Sequence, residues 1–142
     1  MADKILLVDD ESEFLEVMSE RLAARGMQVS TADSAEAALQ MVEKESFDAI
    51  ILDLQMPAMD GIQTLKAIKA KKPELQIILL TGHATVSKGI EAMKLGATDF
   101  LEKPADLTAL TEKIHQAKAQ RMVIVEKQIE DKLKKIINVK GW

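Results

Sequence analysis

The chain has no cysteine. That excludes disulfides, thiolate metal centres and a cysteine nucleophile. It has no tyrosine, and aromatics make up only 3% of it, too few for a stacking platform that grips single-stranded nucleic acid. No apolar run approaches the roughly 20 residues that a spanning helix needs. The start, "MADKILLV", lacks the basic region and long apolar core of a secretory signal. Neither sign of charge dominates: 19 Lys and Arg stand against 23 Asp and Glu, a formal net charge of −4. That balance is a poor match for a phosphate backbone. The expectation is therefore no direct nucleic-acid binding, no membrane and a cytoplasmic location. Proline occurs three times and glycine six, so each one is informative as a stop or a turn.

What is present is a globular composition. The 142 residues are 47% hydrophobic and 30% charged, enough for one domain with a proper core. Apolar runs alternate with helical patterns. "KILLVDD" reads as a first strand; Phe14, Leu15, Met18 and Leu22 follow helical spacing and end at Gly26. "MQVSTA" reads as a second strand, and Asp33 with Glu36 has the shape of a capping box. Ala35, Ala38, Leu39 and Val42 then line a helix face. "FDAIILDL" is a third strand, and "PAMDG" a loop with a turn signal. Ile62, Leu65 and Ile68 mark a third helix closed by Pro73, and "LQIILLTG" is a fourth strand. Val86, Ile90 and Met93 mark a fourth helix that stops near Gly96. "TDFLEKP" is a short fifth strand, and a long helix begins near Asp106.

Five strand–helix units of this kind predict a doubly wound parallel sheet with helices on both faces. Strands one, three and four are apolar at consecutive positions, as burial on both faces requires. Ligands of such sheets bind beyond the carboxyl ends of the strands. There the first strand ends in Asp9 and Asp10, the third in Asp53, the fourth in Thr81 and the fifth in Lys103-Pro104. Each has a bland reading. Asp10 with Glu13 could cap a helix, Asp53 could end a strand, Thr81 suits a strand and Lys103 could be a solvated charge. The bland readings leave unexplained why all five stand at carboxyl ends. Clustered carboxylates need a cation or must take up protons, and an oxygen-rich site open to water suits Mg²⁺. Such a site can stabilise a transferring phosphoryl group and activate an aspartate as nucleophile.

The pieces "LLVDD", "DLQMPAMDG", "LTGHA" and "GATDFLEKP", in this order and spacing, resemble the receiver domain of two-component response regulators. The resemblance covers roughly residues 3 to 120. It implies a flavodoxin-like, CheY-like sheet of order 2-1-3-4-5. It implies Asp53 as the phosphoacceptor that attacks a phosphohistidine, Asp10 as a direct Mg²⁺ ligand, Asp9 as the acid acting largely through water, and the Gln55 carbonyl as a further ligand. Thr81 matches the switch hydroxyl, Lys103 the cation that pairs with phosphoryl oxygens, and Phe100 the aromatic that turns inward on activation. The Lys103-Pro104 bond is expected to be cis. Gln55 and His83 are the positions expected to tune the phosphoryl lifetime. The implied partners are a sensor histidine kinase or phosphotransfer protein and a downstream protein target. Gly89 costs the fourth helix about 1 kcal/mol relative to Ala. It marks that helix either as marginal and mobile on activation or as closely packed. His115 is assigned no role.

Residues 1–120 are read as the receiver and 121–142 as a helical extension without a separate output domain, hence a stand-alone receiver. No Gly or Pro lies between Ala105 and Lys140, so the fifth helix can continue. Met122, Val125, Ile129, Leu133 and Ile136 recur at spacings of three and four, an apolar stripe that asks for a partner. A homodimer through this helix is one possibility, with Lys132 at a strict d position counting against it. The chain is expected to catalyse its own phosphorylation and dephosphorylation and not to act on external substrates. The rival readings are an aspartyl-phosphate phosphohydrolase, a scaffold without a switch, and a flavin binder. The first wants an Asp-x-Asp pair and a cap, but Leu54-Gln55 follow Asp53. The second leaves the complete set Asp9, Asp10, Asp53, Thr81 and Lys103 without a purpose. The third wants a phosphate-cradling loop where "DDESEF" is acidic.

Overall fold

The computed structural model describes residues 3–56, 59–82, 86–104 and 106–139. In chain order these form β1 (Lys4–Val8), α1 (Ser12–Ala24), β2 (Gln28–Ala32), α2 (Ala35–Lys44), β3 (Ala49–Asp53), β4 (Gln55–Met56), β5 (Met59–Asp60), α3 (Gly61–Lys71), β6 (Ile77–Thr81), α4 (Val86–Lys94), β7 (Asp99–Glu102) and α5 (Leu107–Val139). Strands β2-β1-β3-β6-β7 make one five-stranded parallel sheet in that order. Counting only its own strands, the order is 2-1-3-4-5, as the resemblance implied.

The register explains the continuous apolar runs. Leu7 lies beside Ile51, and Ile51 beside Ile78. Successive side chains of a strand point to opposite faces. One set, with Leu6, Val8, Ile50, Leu52, Ile77 and Leu79, packs with Val42 of α2, Leu65 and Ile68 of α3 and Ala92 of α4. The other, with Ile5, Leu7, Ile51, Ile78 and Leu80, packs with Leu15, Met18 and Leu22 of α1 and Leu110, Ile114 and Ala117 of α5. A central strand of this sheet has no solvent face, so it has no polar positions to alternate with.

Helices α1 and α4 end the same way. Gly26 (φ 89°) and Gly96 (φ 107°) take the left-handed conformation that a residue with a Cβ rarely adopts. The Met27 amide then donates to the Leu22 carbonyl at 3.2 Å, and the Ala97 amide to the Ala92 carbonyl at 3.1 Å, the long return bond of a Schellman stop.

Three local expectations are corrected. Ser34, not Asp33, caps α2: its extended backbone lets the hydroxyl accept from the Ala37 amide at 3.1 Å. The turn after Asp53 is more than a loop, because Gln55–Met56 and Met59–Asp60 pair as a short antiparallel ladder. On α4, Ile90 is 54% exposed while Ala92 is fully buried, so the helix presents a small residue to the core and leaves the large one in water. Gly89 is buried.

Helix α5 is 33 residues long and runs without a break through residue 120. The Asp106 carboxylate accepts from the Thr108 amide at 3.2 Å at its start. Its first turns are docked through Leu110, Ile114 and Ala117. Polar contacts then hold it where it crosses the amino-terminal edge of the sheet. The Asp3 carboxylate meets His115 Nε2 and Lys118 Nζ, each at 2.9 Å, and Arg121 lies 3.8 Å from Asp48. Among the described side chains, the apolar ones from Met122 to Ile137 lie largely in water.

Candidate functional site

Parallel strands deliver their carboxyl ends to one edge. Asp9 and Asp10 follow β1, Asp53 closes β3, Thr81 closes β6 and Lys103 follows β7. The Asp9 amide donates to the Ala32 carbonyl at 3.1 Å, which ties its backbone to the end of β2. The Leu54 amide donates to the Leu80 carbonyl at 3.1 Å and fixes the exit from β3. Asp9 is fully buried, Asp53 almost so, and Asp10 is exposed.

Lys103 bridges the two buried acids. Its ammonium donates to Asp53 Oδ2 at 2.9 Å and to Asp9 Oδ2 at 3.1 Å. It also lies 4.6 Å from the centroid of the Phe14 ring, whose negative face attracts a cation. The other Asp9 oxygen, Oδ1, accepts from the Glu11 amide at 2.9 Å. The reading of Asp10 as a helix cap is thereby replaced. Glu11 occupies the cap position of α1 without a side-chain bond, and Asp9 takes up its amide.

Burial is the main force on the Asp9 carboxyl and raises its pKa. The nearby Asp53 charge adds to the rise, while the Glu11 amide and Lys103 oppose it. For Lys103 burial pulls the pKa down, but the hydrogen bonds and charges of Asp53 and Asp9 together outweigh it and hold the group above its ordinary value. Lys103 is therefore a fixed positive charge at any physiological pH.

One carboxylate oxygen each from Asp9, Asp10 and Asp53 lies within 4.8 Å of the others. At that separation two full charges repel by about 3–4 kcal/mol at an effective dielectric of ~20, and Lys103 alone does not neutralise three. The donors are all hard oxygens, with one acid facing water. That set fits a divalent cation of the Mg²⁺ kind, which keeps some of its waters, better than zinc or a soft metal.

The other predicted positions fall as follows. The Lys103-Pro104 peptide is cis. Phe100 lies on β7 opposite Leu79, is 42% exposed, and its amide donates to its neighbour Asp99 Oδ1 at 2.8 Å. The backbones of Gln55 and Thr81 belong to β4 and β6, but their side chains lie outside the described residues, as does all of His83. His115 is at the opposite edge, paired with Asp3. Two members of the site were missed in the sequence. Phe14 reads as part of the apolar face of α1, and nothing in its spacing marks a ring under the Lys103 ammonium. The Glu11 amide carries no sequence signal at all.

Fold and site together define a doubly wound α/β domain with an acid-and-lysine pocket at its carboxyl edge. Residues 5–115 match the response regulator receiver domain family, and the chain belongs to that family. It is 42% identical over 110 residues to the response regulator protein FleR of Pseudomonas aeruginosa, covering 78% of this chain and 23% of FleR. It is 39% identical over 113 residues to the transcriptional regulatory protein FixJ of Bradyrhizobium diazoefficiens, covering 80% of this chain and 55% of FixJ. The chain thus spans between just under a quarter and a little over half of the length of these relatives. A crystal structure of a response regulator receiver domain protein from Clostridium thermocellum superposes with a TM-score of 0.82 at 35% identity, covering 86% of this chain and 98% of that one. Among the described residues no helix is long and apolar enough to cross a membrane.

Proposed function

We propose that the chain is a phosphorylation-controlled switch in two-component signalling, with Asp53 as the phosphoacceptor and a sensor histidine kinase or phosphotransfer protein as the donor. The observation that carries the reading is the Lys103 ammonium held between Asp53 and Asp9 beside three convergent acids. An ordinary strand end has no use for that arrangement, whereas phosphoryl transfer to an aspartate needs each part of it.

Asp9 and Asp10, with Asp53 and the Gln55 carbonyl, would hold Mg²⁺. When bound, the ion supplies positive charge that offsets the acids and the phosphoryl oxygens. The chain's own groups do the rest. Burial keeps Asp53 poorly solvated, and Lys103 fixes one of its oxygens, so the carboxylate meets the phosphohistidine already oriented. An Asp53 oxygen forms the new O–P bond as the P–N bond to the imidazole breaks, and the neutral imidazole leaves after taking a proton from water. The single carboxylate charge is replaced by a phosphoryl group with about two charges and three acceptor oxygens. Lys103, already within 3 Å of Asp53, takes one of those oxygens, and the Thr81 hydroxyl takes another. The half-exposed Phe100 then turns inward and alters the surface that a downstream protein reads. Attack of water on the acyl phosphate returns the carboxylate. Both reactions are on the chain itself, with no external substrate.

The test is incubation with acetyl phosphate and Mg²⁺, read by intact-protein mass. A single phosphoryl adduct is expected, absent in Asp53→Asn and absent with chelator. No adduct, or an adduct that survives Asp53→Asn, overturns the reading.

A further inference from the structure

The end of α5 has an apolar face that its own domain does not cover. At about 100° per residue, Met122, Val125, Ile129, Leu133, Ile136 and Ile137 fall within one third of the helix circumference. The side chains of Met122, Ile129, Leu133, Ile136 and Ile137 are 41–55% exposed. The docked seam of the same helix, Leu110, Ile114 and Ala117, projects on average about 0.3 of a turn away from this stripe. The stripe is therefore not the core seam running past the end of the domain. It faces sideways, where a second helix can lie alongside without meeting the sheet.

The geometry points to a second copy of this chain as the occupant, packed in parallel through residues 122–137. Three observations select that occupant. First, the spacing 3-4-4-3 along Met122, Val125, Ile129, Leu133 and Ile136 follows an eleven-residue repeat. The seam then passes through Leu133, and Lys132, which a strict heptad would bury, stays at the flank. Second, the flanks differ in charge. Glu130, paired along the helix with Lys134 at 3.4 Å, borders one side of the stripe beside Glu126, and Lys132 borders the other. A parallel two-fold pair lays the acidic flank of each helix against the basic flank of its mate, whereas an antiparallel pair sets like flank against like. Third, the area suffices. The stripe exposes roughly 500 Å² of apolar surface, at the upper end of what an ordinary monomer leaves in water. Two copies with their flanks reach the ~1,000 Å² that a specific interface needs. Because the stripe lies about 0.3 of a turn from the docked seam, the two domains hang on opposite sides of the paired helices and do not collide.

The absence of cysteine makes the test direct. Met122→Cys and Ile136→Cys are each placed in the full chain, with Asp131→Cys on the outer face as control, and oxidised under native conditions. In a parallel pair like positions meet, within the ~4.4–6.8 Å Cα separation that a disulfide allows. The expected result is a linked dimer from each single seam variant and none from the control. Sedimentation equilibrium of the cysteine-free chain, untreated and with beryllofluoride and Mg²⁺, should show a monomer–dimer equilibrium in at least one state, weakened at least tenfold by Leu133→Glu. A monomer in both states overturns the proposal. Links that form only when Met122→Cys and Ile136→Cys are mixed overturn the parallel arrangement, and equal linking through Asp131→Cys overturns the stripe as the contact.

Discussion

Lys103→Met removes the one described cation that touches both buried acids. Its ammonium bonds Asp53 Oδ2 at 2.9 Å and Asp9 Oδ2 at 3.1 Å; the Asp9 side chain is 0% and the Asp53 side chain 2% exposed. Breaking a buried pair from one side costs about 3–5 kcal/mol where nothing else compensates the remaining charge, and Asp9 keeps the Glu11 amide. Lys103 keeps 23% of its side chain in contact with water, and Asp10 opens the cluster to solvent, so we expect about 2–3 kcal/mol. That includes about 0.5–1 kcal/mol for the contact with Phe14. In urea, with a slope of about 1–2 kcal/mol/M, the midpoint should fall by at least about 1 M.

The deficit has a defined pH dependence in metal-free buffer. The folded Asp9 carboxyl titrates above its ordinary value, with burial as the main cause. Between those two values the folded state binds more protons than the unfolded one. The stability contributed by the neutral acid is complete below the ordinary value and is lost as pH rises through the raised one. Removing Lys103 takes away an opposing charge and raises the folded value further. The cost of Lys103→Met should therefore be greatest near neutrality and shrink on acidification toward the ordinary carboxyl range. Added Mg²⁺ should recover part of the loss at pH 7. The assay is equilibrium urea unfolding of wild type and variant near neutrality and toward that range, with chelator and with Mg²⁺. An unchanged midpoint, or a deficit that grows on acidification, would refute the reasoning.

Two further outcomes follow from the fold. A Cβ on Gly61 would lie 2.8 Å from Leu54 Cδ2 and 3.0 Å from the Leu54 Cα, so Gly61→Ala must shift the backbone directly after Asp53. It should cost about 1–3 kcal/mol and slow acetyl-phosphate labelling, and a wild-type labelling rate would contradict it. Asp3→Asn weakens the anchor of α5 to His115 and Lys118. Lys118 is held above its ordinary pKa first by its hydrogen bond to Asp3, and should lose that rise. Amide exchange should quicken in residues 107–121 while α1 stays unchanged; a uniform change along the chain would count against a local anchor.

The sheet order and the convergence of the acids were legible because a parallel doubly wound sheet leaves few choices. Apolar runs such as "ILLV" and "AIIL" exclude a solvent face, and everything after a strand goes to one edge. What stayed hidden depends on one residue of register or on the packing of a particular ring. Ser34 and Asp33 are both good caps, and only backbone dihedrals choose between them. Phe14 and Leu15 both suit a core stripe, but only Leu15 enters the core fully, while Phe14 faces Lys103. Ile90 satisfies helical spacing and still lies in water, because the short α4 packs on the core through Ala92 and Met93. Asp3 and His115, like Asp48 and Arg121, are far apart in sequence, and pair only because α5 runs back across the sheet to its amino-terminal edge.

That return path separates the two functions proposed for the chain. The acid pocket lies at the carboxyl edge, where α5 begins after Lys103. The helix then runs some 15 residues, about 22 Å, before Met122 clears the amino-terminal edge. A partner helix seated on residues 122–137 is thus on the far side of the sheet from Asp53 and cannot shield it. Self-association through the stripe and acceptance of a phosphoryl group should be sterically independent. Leu133→Glu, which should abolish pairing, is expected to take up phosphate from acetyl phosphate at the wild-type rate, at protein concentrations where the wild type is dimeric. A rate differing by more than about threefold, some 0.7 kcal/mol, would mean that pairing is felt at the pocket. The route would then have to run through β7, where Asp99 binds Lys113 of α5 at 2.6 Å and also holds the amide of Phe100.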